Sequence, residues 1–155
     1  MEIRFATIED IPGILNLLKQ VGLVHHLGRP DIFRKGAQKY GASQVIDLLG
    51  KPENPIFVAV ENNNLLGYCF CFRKDHSKDP VIADHTELYI DDLCIDETCR
   101  GQHIGRALYE HAKKYAKETG CYNLTLNVWC CNESAMAFYQ SMGMQPQKIG
   151  METIL

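Results

Sequence analysis

The chain has 155 residues, 46% of them hydrophobic and 23% charged, with a formal net charge of −3. That is the length of one domain with enough apolar residues for a full core, and its slight acidity speaks against nucleic acid or an anionic membrane as the main partner. No apolar run approaches the ~20 residues of a membrane span and Met1-Glu2-Ile3-Arg4 lacks a signal-peptide core, so the expected location is the cytoplasm.

Ile3 to Ala6 read as a first strand, followed by a helix that turns Ile11, Ile14, Leu15 and Leu18 inward. Thr7 or Asp10 can cap it, and Pro12 favours Asp10, because a proline inside a helix removes a backbone bond. From Gly22 to Asn54 the pattern is less regular. Pro30-Asp31 open one helical piece and Ala42 to Leu49 form another, with Gly41 between them. Pro55 to Glu61 and Leu65 to Arg73 form a hairpin around Asn62-Asn63-Asn64, whose side chains tolerate left-handed turn geometry. The alternation of these strands is poor, as in strands covered on both faces. His76 to Asp84 is a loop, and Thr86 to Ile95 is the next strand.

A second helix is marked by Ile104, Ala107, Leu108, His111, Ala112, Tyr115 and Ala116 at helical spacing, and Gly120 stops it. Tyr122, Leu124, Leu126 and Val128 alternate with Asn123, Thr125 and Asn127 as a half-buried strand. Asn132 then caps a helix with Ala135, Met136, Tyr139 and Met142 on its inner side, closed by Gly143. Gly143 to Leu155 reads as strand material interrupted by Pro146 and Gly150. The alternation is that of an α/β protein, and no repeat or linker divides it, so residues 1–155 are expected to form one domain.

The turn before the second long helix carries the clearest chemistry. In Leu93-Cys94-Ile95-Asp96-Glu97-Thr98-Cys99-Arg100-Gly101-Gln102-His103-Ile104-Gly105-Arg106 a strand end runs through a glycine-bearing turn into a helix start. The first N–H groups of a helix lack intrahelical acceptors and the macrodipole adds positive charge there, so a phosphate is the natural ligand. A P-loop would need Gly-Lys-Ser/Thr and a dinucleotide fingerprint three glycines, and neither is present. The seven cysteines are odd in number and lack C-x-x-C spacing, which suits reduced thiols better than disulfides or zinc. The adjacent His25-His26 side chains diverge, so no metal is expected there, and Cys94 has no neighbour that would activate it as a nucleophile.

Arg100 to Gly105 resembles the R/Q-x-x-G-x-G/A signature of the GNAT superfamily of N-acetyltransferases, with His103 where glycine is usual. Asn132 to Met144 resembles that family's N-x-x-A-x-x-F-Y-x-x-x-G-F segment, with Met144 at the last position. The resemblance implies a central mixed, mostly antiparallel sheet of six or seven strands, helices on both faces, and a splayed strand at the cofactor site. It implies an enzyme that moves the acetyl group of acetyl-CoA to a primary amine by direct attack in a ternary complex. The main chain of Leu93, Cys94 and Ile95 would meet pantetheine and the acetyl oxygen. Arg100, Gly101, Gln102, His103, Ile104, Gly105 and Arg106 would hold the pyrophosphate. Asn132 would touch the pantetheine or pyrophosphate side, and Tyr139 would be the acid near the sulfur.

For the base, Asp91 comes first and Glu87, acting through water, second. Strand alternation puts Glu87, Tyr89 and Asp91 on one face and Asp92 on the other. The Asp91-Asp92 pair resembles the Glu-Asp pair of diamine acetyltransferases, and carboxylates facing a cleft draw a cation, so a small amine is the expected acceptor. In the family the segment holding Arg29, Asp31, Phe33 and Tyr40 shapes the acceptor pocket. A peptide or protein amine is the alternative acceptor. The alternative role is a non-catalytic acyl-CoA sensor, toward which His103 in the cradle leans. A homodimer using the apolar end Ile154-Leu155 would also fit the resemblance.

Overall fold

A computed structural model describes residues 1–155. Five strands form one sheet: β1 (Glu2–Phe5), β2 (Ile56–Glu61), β3 (Asn64–Asp75), β4 (Thr86–Ile95) and β5 (Asn123–Leu126). They lie in chain order, antiparallel except for the parallel β4–β5 pair. The helices are α1 (Ile11–Gly28), α2 (Ala42–Leu48), α3 (Ile104–Glu118) and α4 (Glu133–Ser141). Asp10 is the N-cap residue of α1, as the position of Pro12 requires. The β2–β3 turn holds Asn62 and Asn63 at φ 50 and 63, the left-handed pair a tight hairpin needs.

The sheet separates two apolar layers. On one face Ile11, Ile14, Leu17 and Leu18 of α1 and Val45 of α2 cover Ile56, Val58, Tyr68, Phe70 and Cys94. On the other, Leu108, Tyr109, Ala112 and Ala116 of α3, with Met142, cover Phe57, Ala59, Cys69, Cys71, Leu88 and Ile90. Successive residues of β2 and β3 therefore enter opposite cores, which explains their unbroken apolar runs. Each fully buried large side chain stabilises the fold by about 1.5–3 kcal/mol.

Three expectations are corrected. The sheet has five strands rather than six or seven, because residues 145–155 form no regular structure and are exposed throughout. Pro146 lacks the N–H that a paired strand would donate. Pro30-Asp31 starts turns rather than a helix: the Phe33 N–H reaches the Arg29 carbonyl once, at 2.9 Å, and the guanidinium of Arg29 is held outside the turn by Asp31 and Glu152. The third correction concerns β4. Phe70 faces Asp92 while Cys71 faces Ile90, so Asp91 is an extra residue, a β-bulge. The bulge inverts the alternation: Leu88 and Ile90 enter the α3-side core before it, and Leu93 and Ile95 pack against that core after it. Asp91 and Asp92 consequently share the α1 side instead of facing opposite ways.

Candidate active site

The bulge also opens the sheet. β4 and β5 pair from Glu87 and Asn123 to Ile90 and Leu126, and then β4 bends away, leaving Asp91 to Ile95 with no strand on that edge. The Asp96 N–H donates to the Leu66 carbonyl at 2.9 Å, so by alternation Cys94 also turns its peptide groups to β3, while Leu93 and Ile95 turn theirs to the open edge. Of the three residues expected to meet a cofactor through the main chain, two offer it. The thiol of Cys94 is buried in the α1 layer, 3.6 Å from the Leu17 carbonyl, and burial pushes its pKa up to about 12. It is a packing residue, not a nucleophile.

Where the edge ends, α3 begins. No backbone N–H from Arg100 to Arg106 donates to an acceptor within the protein. Gly101 stands at φ +78 and His103 at φ 60, both left-handed, and His103 is the residue that enters α3. A residue with a Cβ therefore holds the conformation that glycine would favour, at a cost of about 1–2 kcal/mol. Ile104 buries its side chain and contributes only its N–H. Gly105 lies in the first turn, where an added Cβ would rest 3.5 Å from the Phe138 ring and 3.6 Å from Ile95. Asn132 caps α4 by accepting the Ala135 N–H at 3.2 Å, which leaves its amide N–H₂ free to donate.

The acidic pair sits at the vertex of the opening. Asp91 pairs with Lys39, 2.8 Å away, and accepts the Tyr40 hydroxyl. Asp92 accepts the Tyr68 hydroxyl at 2.9 Å, and burial pushes its pKa up to about 6. Tyr40 and Tyr68 both pack on Phe70, with ring centroids at 5.3 and 5.0 Å. Tyr68 and Lys39 were not singled out from the sequence, Tyr40 was named only as part of an acceptor-side segment, and Asp92 was placed on the face opposite Asp91. The one available signal was two adjacent aspartates inside the otherwise apolar stretch from Leu88 to Ile95, and the bulge that unites them leaves no local mark.

Tyr139 packs against the α3-side core; burial raises its pKa, and its hydroxyl has no hydrogen-bond partner in the protein. Glu87 lies at the closed end of the β4–β5 pair, 3.4 Å from Lys74 and 3.8 Å from His76, apart from the acidic pair. Phe33 meets Trp129 edge to face at 5.1 Å, joining the segment before α2 to the one after β5.

An open strand edge running into a helix start with unpaired N–H groups is an arrangement for a long, phosphate-bearing ligand. The Acetyltransferase (GNAT) family model matches residues 24–144. The chain belongs to this family. The BH1408 protein of Bacillus halodurans, solved as a mutant, is 33% identical, with a TM-score of 0.94 over 100% of this chain and 99% of that one. An aminoglycoside acetyltransferase from an uncultured soil metagenomic sample, in complex with sisomicin, shares the fold at TM-score 0.73 and 18% identity, covering 99% and 95% of the two chains. Glucosamine 6-phosphate N-acetyltransferase of Arabidopsis thaliana is 30% identical over 63 residues, a match spanning 41% of this chain and 40% of that protein. GNAT acetyltransferases use acetyl-CoA, and this chain's unpaired N–H groups and open edge fit it.

Proposed function

We propose that this protein moves the acetyl group of acetyl-CoA to a primary amine of a small cationic molecule, by direct attack in a ternary complex. The observation that carries the reading is the half-buried acidic pair at the vertex of the open edge of β4, on the strand that leads to the helix start with unpaired N–H groups. Bound acetyl-CoA would supply the thioester. The N–H groups from Arg100 to Arg106 hold its pyrophosphate, with Gln102 and the cations of Arg100 and Arg106 at the rim. Leu93 and Ile95 present main-chain groups to pantetheine and the acetyl oxygen, and Asn132 donates from its free amide.

Asp92 is the base. With a pKa near 6 it is ionised at neutral pH, yet it is more basic than an ordinary aspartate. Asp91, already held by Lys39 and Tyr40, adds negative charge that favours an ammonium group. Tyr139 keeps its proton because burial raises its pKa, and a hydroxyl with no partner in the protein is free to give that proton to a departing thiolate. All seven cysteines are free, which suits a reducing, cytoplasmic setting. The exposed Ile154 and Leu155 are apolar surface that a second copy of the chain would cover.

The test is CoA release from acetyl-CoA with a panel of diamines, amino sugars and peptides. Fastest turnover with small cationic amines is the expected result. Turnover confined to peptides would move the acceptor to protein amines, and CoA binding without thioester cleavage across the panel would leave a sensor.

A further inference from the structure

The loop between β3 and β4 is closed by two histidines. The His76 N–H donates to the His85 carbonyl at 2.9 Å, and the two rings stack with centroids 4.6 Å apart. Glu87, two residues further on, points back at them. One ligand atom from each of His76, His85 and Glu87 lies within 4.8 Å of the others.

Three details make this more than a chance meeting of polar groups. His76 Nε2 is buried with no hydrogen-bond partner and lies 3.8 Å from Glu87 Oε1. A buried ring nitrogen without a partner carries a desolvation penalty that a ligand would remove. His85 Nδ1 lies 2.7 Å from the Ala83 carbonyl, which can only accept, so Nδ1 carries the proton and Nε2 keeps its lone pair. That is the outer-shell hydrogen bond that orients a metal-ligating imidazole. The distances are also close to those required. Ligands about 2.0–2.1 Å from a tetrahedral ion stand about 3.4 Å from one another, so the His76–Glu87 pair needs only a small closure.

We propose that His76 and His85, through Nε2, and Glu87, through its carboxylate, bind a divalent transition-metal ion such as Zn²⁺, which pins the 76–85 loop to β4. Two imidazoles and one carboxylate suit this class of ion, and a fourth position is left for water. The competitor is Lys74, whose Nζ lies 3.4 Å from Glu87 Oε1 and 3.4 Å from the centre of the Tyr89 ring. Lys74 is 43% exposed and can swing into solvent when an ion enters. The site stands at the closed end of the β4–β5 pair, away from Asp91 and Asp92, and does not depend on the acetyl-transfer reading.

Co²⁺ added to the chelator-treated full chain reads the site through its visible spectrum, and Zn²⁺ titrated in a calorimeter gives the stoichiometry. One equivalent is expected, with no thiolate-to-cobalt charge-transfer band. His76→Ala and His85→Ala should each weaken binding by roughly 100-fold or more. Lys74→Met, which leaves all three ligands in place and removes the competing cation, should bind more tightly than the parent. Absence of uptake by both the parent and Lys74→Met, uptake unchanged in His85→Ala, or a thiolate band would each overturn the proposal.

Discussion

The two halves of the site are built from different materials. The half proposed to hold the cofactor consists of main-chain groups: the N–H run from Arg100 to Arg106 and the exposed peptide edge at Leu93 and Ile95. The half proposed to meet the acceptor consists of side chains: Asp91 and Asp92, held by Lys39, Tyr40 and Tyr68 from other segments. Main-chain recognition tolerates nearly any residue that permits the backbone path, and His103 holds at φ 60 the conformation a glycine would favour. Side-chain recognition depends on identity and ionisation, so substitutions of the acidic pair should act on the chemistry or on the amine's KM, and those around the helix start on CoA binding.

The largest expected effect is that of Asp92→Asn, a fall in kcat of ~10²–10⁴-fold with loss of the low-pH limb near pH 6. Asp91→Asn should instead raise KM for a cationic amine; if it does the greater damage to kcat, the base is Asp91. The same Asp92 substitution has a stability signature. Because the folded state raises this carboxyl's pKa, its contribution to stability is fully present below about pH 4 and is lost as pH rises through about 6. Asp92→Asn cannot ionise, and it should be more stable than the parent by about 2–3 kcal/mol above pH 7 and near parental below about pH 4, as read by melting curves.

Next in size is Tyr139→Phe. Kcat should drop by ~10²-fold while Tm and CoA affinity barely move, since the hydroxyl has no partner within the fold to lose. Parental turnover in this variant would leave water, or the unaided thiolate, in place of the acid.

Gly105→Val tests the cofactor half. Branched carbons beyond the Cβ would crowd Phe138 and Ile95 at the helix start, and the melting shift given by CoA, worth about 2.7 kcal/mol at 100 times Kd, should disappear while the fold survives. An unchanged shift would put the pyrophosphate elsewhere. The smallest effect is that of His103→Gly. It relieves left-handed strain but enlarges the unfolded ensemble, for a net gain of up to about 1 kcal/mol with CoA affinity retained. A large loss of CoA affinity would show that the imidazole itself touches the ligand.

What was legible in the sequence is what short-range physics controls. Helix α3 announced itself by its apolar spacing, the start of α1 by Asp10 and Pro12, the hairpin by consecutive asparagines, and the turn into α3 by glycines before a helix. Each of these depends on residues within a few positions of one another. The tail after α4 read as strand because strand propensity is local, whereas a strand exists only where a neighbour accepts its hydrogen bonds, and residues 145–155 have none.

Only the tertiary structure decided which way the acids face. Side chains alternate along a strand until its pairing register slips, and the slip at Asp91 is set by how β4 matches β3 across the sheet. That single extra residue brings Asp91 and Asp92 to one side, opens β4 from β5, and aims Leu93 and Ile95 at the gap. The cluster of His76, His85 and Glu87 is likewise a product of loop closure. The sequence by itself determined the long helices, the hairpin and the glycine-bearing turn into α3, because hydrogen bonds and apolar spacing along one segment suffice for them. The acidic pair and the histidine cluster were decided by register between segments, which no window of sequence contains.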